Sequence, residues 1–64
     1  MKTYRVQIRH PESTPMDRRY EYKYAQISNR RFAIDHIVTA VQIEYWILSH
    51  QARRLIGEVR EVER

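Results

Sequence analysis

The side chains that most enzyme mechanisms need are scarce or scattered in this 64-residue chain. It has no cysteine, which removes thiolate nucleophiles, iron–sulfur ligands and cysteine zinc knuckles, and leaves no disulfide to brace so small a fold. Its one glycine, Gly57, excludes the glycine-rich loops that bring backbone amides up to phosphates in P-loops and dinucleotide sites. His10, His36 and His50 are dispersed; on one continuous helix the last two would lie about 21 Å apart at 1.5 Å per residue, so no metal site is expected. Ser13, Ser28 and Ser49 stand without a base pattern for nucleophilic catalysis. Asp35 and Glu44, nine positions apart, fall on roughly opposite sides of a helix and make a poor acid/base pair. No catalytic residue, cofactor or metal is assigned, and the chain is not expected to be an enzyme.

What remains is the chemistry of charge and aromatic surface. The net charge is +4 and the pI about 9.9, with the excess of Lys and Arg in the first 57 residues and a slightly acidic end. A basic balance of this size suits nucleic acid or an acidic surface of another protein. Residues 18–24, RRYEYKY, set three tyrosines at alternate positions with charges between them. Those rings form either part of a core or a binding surface, and the choice depends on the elements that position them.

From Thr3 to His10 apolar and polar residues alternate, which indicates a strand, and a second alternating run covers Arg18 to about Ile27. PESTPMD between them carries turn chemistry. Pairing the runs so that apolar faces coincide sets Tyr4 opposite Tyr24, Val6 opposite Tyr22 and Ile8 opposite Tyr20, which makes the tyrosines core. The other face then holds Arg9 against Arg19 and Arg5 against Lys23, like-charge pairs that an anion would neutralise. A basic two-stranded ribbon of this kind fits a DNA major groove.

Ser28 or Asn29 caps a helix. Steps of four and three pick out Ile34, Val38, Val41, Tyr45, Leu48, Ala52, Leu55, Val59 and Val62, all apolar. A second set, Ile37, Ala40, Ile43, Trp46 and Ile47, makes the helix apolar on two sides, and the hairpin covers only one. A second copy of the chain covers the other, giving a homodimer interface of Ile34, Val38, Val41, Tyr45, Leu48, Ala52 and Leu55. Arg30 and Arg31 open the helix, where the dipole disfavours cations; with the free amides there they extend the anion site, unless Arg31 pairs with Asp35. Gly57 after Arg53 and Arg54 is the ambiguous point: the helix ends near Ile56, with a third strand over 56–62, or continues to 62 with Arg54 meeting Glu58.

The expected architecture is a single α+β domain: a hairpin over about 3–27 packed on one long helix from 29 to 56 or to 62, with a strand over 56–62 as the alternative. Its N-terminus lacks the apolar core of a signal peptide, and its least polar stretch, 37–48, is short of a bilayer span, so a soluble cytoplasmic protein without membrane contact is expected. The function expected is that of a dimeric nucleic-acid-binding accessory or regulatory factor. The contact residues would be Arg5, Arg9, Arg19, Lys23, Arg30 and Arg31. The alternative is a protein-interaction module or inhibitor that docks on a larger protein machine.

Overall fold

The computed structural model describes residues 1–62 and is α+β. Strands β1 (Lys2–Arg9) and β2 (Tyr20–Ile27) are followed by helices α1 (Arg30–Tyr45) and α2 (Ser49–Leu55) and by strand β3 (Ile56–Val62). The sheet is antiparallel with β1 in the centre, in the order β2-β1-β3. Among the described residues no helix is long and apolar enough to cross a membrane.

Alternation on β1 buries Tyr4, Val6 and Ile8 on one side of the sheet, and the helices lie against that side. From α1 come Ala33, Ile37, Val38 and Val41; α2 adds Ala52, and β2 adds Ala25. The opposite side of the sheet is bare. The molecule measures 36 × 23 × 14 Å, the proportions of a thin slab two layers deep.

Within β1–β2, Tyr4 stands opposite Ala25, Val6 opposite Lys23 and Ile8 opposite Glu21. That register is one residue from the pairing read in the sequence, and it sends every β2 side chain to the other face. Tyr20, Tyr22 and Tyr24 therefore leave the core and stand 47%, 50% and 61% exposed. The inner β2 positions are held by Glu21, Lys23 and Ala25, of which only Ala25 is buried, and three phenol rings there would each need room and a partner for the hydroxyl. The loop closes in step with this register, one place from the expected one, with the His10 N–H donating to the Arg19 carbonyl at 2.9 Å. The like-charge rows do not form, because Arg5 faces Tyr24, Gln7 faces Tyr22 and Arg9 faces Tyr20.

Asn29 caps α1, its Oδ1 accepting the Phe32 N–H at 3.0 Å. The single long helix expected from the sequence is instead two. α1 ends at Tyr45, Trp46 takes the left-handed conformation (φ 56°, ψ 47°), and its N–H donates to the Gln42 carbonyl. Nor is α1 apolar on two sides. Ile37 shares the inward arc with Ile34, Val38, Val41 and Tyr45, while Ile43 is on the outside.

Residues 56–62 are a strand, so the continued helix is set aside. Val6 pairs with Val59 but Ile8 with Ile56, so Gly57 and Glu58 together oppose Gln7 in a bulge. The bulge puts Ile56 and Val59, three apart, on the same face and so imitates a helical spacing. Arg54 does not meet Glu58, whose carboxylate lies 3.1 Å from Arg60 Nε.

A tryptophan at positive φ costs about 1–2 kcal/mol against a residue without a β-carbon. Trp46 is 90% exposed, so little burial offsets that cost. Trp46→Gly should raise unfolding stability by about 1 kcal/mol in a denaturant titration. Trp46→Ala, which keeps the β-carbon, should not.

Candidate binding face and its supports

On the bare side of the sheet, β2 supplies Tyr20, Tyr22 and Tyr24, the central strand supplies Thr3, Arg5, Gln7 and Arg9, and β3 adds Arg60 opposite Arg5. Alternate strand residues repeat every 6.7 Å or so, which sets the spacing of the rings along the row. The Arg5 guanidinium carbon sits 4.9 Å from the centre of the Tyr22 ring, within cation–π range. Gln7 is half-buried beneath the bulge, where a β-carbon added to Gly57 would come within 2.9 Å of Gln7 Oε1. The Gln7 carbonyl would stand at 3.6 Å, an ordinary contact, so a larger residue at 57 requires only that the Gln7 amide turn aside.

The six cations expected at the site do not all meet. Arg5 and Arg9 lie on the tyrosine face. Arg19 is in the loop, held by Asp17 through Nε at 3.0 Å and Nη2 at 2.7 Å, with Glu12 at 3.7 Å. Lys23 is on the helix side and pairs with Glu44 at 2.6 Å. Arg30 and Arg31 are exposed at the start of α1, and Asp35 pairs with Arg53 at 3.2 Å rather than with Arg31. Missed in the sequence were the tyrosines themselves as surface, and Arg60. RRYEYKY held the signal, since a run with rings on one side and charges on the other is compatible with either face inward.

The expected dimer seam is placed elsewhere. Val38, Val41 and Ala52 are buried in the chain's own core; Ile34, Tyr45 and Leu55 pack around it. Leu48 is exposed, close in sequence to exposed Ile43 and Trp46. Among the described residues no group of three or more His, Asp or Glu side chains could hold a metal ion.

Two polar contacts tie α1 to the edge strand β2. Lys23 meets Glu44, and the Tyr45 hydroxyl donates to Glu21 Oε1 at 2.5 Å. His10, the first loop residue, sets its ring edge-on to Tyr45 at 5.5 Å between centroids. The bond to Glu21, then burial, then the charges of Glu21 and Glu44 hold the Tyr45 hydroxyl well above the usual tyrosine range.

No protein-family model, curated protein or solved structure matches the chain.

The raised pKa of the Tyr45 hydroxyl couples stability to pH. Above about pH 10 the unfolded chain releases this proton while the folded chain keeps it, so stability is complete below that pH and falls as pH rises further. Tyr45→Phe should cost about 1–2 kcal/mol at pH 7 for the lost bond to a carboxylate. It should also flatten the alkaline fall in urea midpoints measured between pH 9 and pH 11.

Proposed function

We propose that the chain is a small nucleic-acid-binding accessory or regulatory protein that takes single strands across the bare face of its sheet, and that it is not an enzyme. The observation that carries this reading is the row Tyr20, Tyr22, Tyr24, each about half exposed, flanked by Arg5 and Arg9. Stacked bases in a duplex are 3.4 Å apart, so rings repeating at about twice that interval suit an extended strand with its bases splayed. Base stacking on exposed aromatics is sequence-tolerant and contributes about 1–3 kcal/mol per base. Duplex reading is disfavoured by width. Three strands about 4.8 Å apart, with side chains and a helical layer behind, exceed the roughly 12 Å of a major groove that a two-stranded ribbon would enter.

A second reading, protein docking with self-association as a homodimer among its forms, is favoured by a different observation. Ile43, Trp46 and Leu48 are exposed around the break between α1 and α2. The accessible surface, 4987 Å², also exceeds the value of about 4,400 Å² usual for a monomer of this mass.

Fluorescence anisotropy with a labelled twelve-nucleotide single strand tests the first reading. Tyr22→Ala should leave the fold intact and weaken binding about tenfold, one stacked base being lost. Arg5→Gln with Arg9→Gln should lower the slope of log affinity against log salt by about 1.4. Absence of binding at 50 mM salt would defeat the reading. For the second, sedimentation at micromolar concentration should show a dimer that Trp46→Ser converts to monomer; a wild-type monomer refutes the homodimer.

A further inference from the structure

At the end of the tyrosine row the chain folds back through residues 10–19 and encloses a cleft of about 340 Å³, lined by Arg9, Ser13, Thr14, Pro15, Arg18 and Tyr20. The volume suits one nucleotide-sized group. Its polar lining consists of donors whose local acids are already engaged. Asp17 and Glu12 both turn to Arg19, and among the described residues neither Arg9 nor Arg18 takes part in an ion pair. The two hydroxyl oxygens are committed as acceptors: Ser13 Oγ takes the Arg19 N–H at 3.1 Å and Thr14 Oγ1 takes the Asp17 N–H at 2.9 Å. Among the described residues neither hydroxyl donates a hydrogen bond, so each proton is free to turn to a ligand oxygen. The loop that carries them is tied down by paired bonds between Thr14 and Asp17, at 3.0 and 3.2 Å, and by the Ser13 N–H to the His10 carbonyl at 2.9 Å.

We propose that this cleft holds the phosphorylated end of a single-stranded nucleic acid whose neighbouring bases lie on Tyr20, Tyr22 and Tyr24. The proposal rests on the stacking reading for the rest of the strand. Two planar guanidiniums match the oxygens of a phosphate in bidentate fashion, and a terminal monoester, carrying close to two charges at neutral pH, is drawn more strongly than an internal diester carrying one. Position supports the same choice. Tyr20 is the first residue of β2 and also a wall of the cleft, so the row of rings runs into it. No surface of the sheet continues the row beyond that point.

The test compares three labelled twelve-nucleotide strands of one sequence, bearing a 5′-phosphate, a 3′-phosphate or hydroxyls at both ends. One phosphorylated strand should bind at least tenfold tighter than the hydroxyl-ended strand. Arg18→Gln, in an exposed loop, should erase that preference while leaving the hydroxyl-ended affinity within twofold, and millimolar inorganic phosphate should erase it in the wild type. Equal binding of all three strands overturns the cleft proposal and leaves the stacking reading standing. An equal loss on all three strands in Arg18→Gln also overturns it, since Arg18 would then be an unspecific cation. If a phosphate preference sensitive to Arg18→Gln persists and Tyr22→Ala changes none of the affinities, the cleft is supported and the stacking reading falls.

Discussion

The pairing of β1 with β2 is the constraint on which the rest of the molecule depends. Because Tyr4 meets Ala25 and Val6 meets Lys23, the layer beneath α1 holds the single ring of Tyr4 among small and branched side chains, and the rings of Tyr20, Tyr22 and Tyr24 are turned to the far side. A shift of a single residue would exchange the two populations. It would bury three hydroxylated rings and strand Glu21 and Lys23 in water, away from the helix residues that now satisfy them. The bond between His10 and Arg19 continues the same ladder into the loop, and Ala25 packs in the core only in this register.

Charges on the inner face of β2 would usually count against a register. Here they lie at the rim, where Glu44 and the Tyr45 hydroxyl reach them, and no buried side-chain polar atom among the described residues lacks a partner. The two contacts do what an apolar side chain at those positions would otherwise do, holding the helix over an edge strand with few core residues of its own. Their partial burial makes them worth more than exposed pairs such as Lys2 with Glu61, at 4.0 Å.

Much of the fold was legible in the residues. Strand periodicity marked both hairpin arms, turn chemistry marked the loop, and the pair Ser28 and Asn29 marked the start of α1, of which Asn29 is the cap. The register was not legible, because β2 presents apolar groups on both sides, and parity alone favours matching ring with branched chain until the helix and its clearance are known. The helix break was hidden because Trp46 is neither glycine nor proline, and nothing local announces a left-handed tryptophan. β3 was half visible in Gly57, yet the bulge gave Ile56 and Val59 a spacing of three that continued the helical pattern. Of the candidate face, the outward placement of Arg5 and Arg9 was read from the alternation of β1. The rings beside them were assigned to the wrong layer, since their place is a property of tertiary packing rather than of the segment.

The bulged strand at the sheet's edge has a consequence for the order of folding. β1 lies between its partners, one of them across a loop of ten residues and the other across nearly the whole chain, with Thr3 meeting Val62. Closing the first loop is entropically cheap and the second dearer, though only logarithmically so. The hairpin can thus sample its pairing early, but Val6 and Ile8 gain their second neighbour only once both helices have reversed the chain. Until then the central strand keeps one edge open, and that edge is the place where an unfinished molecule is most apt to pair with another chain.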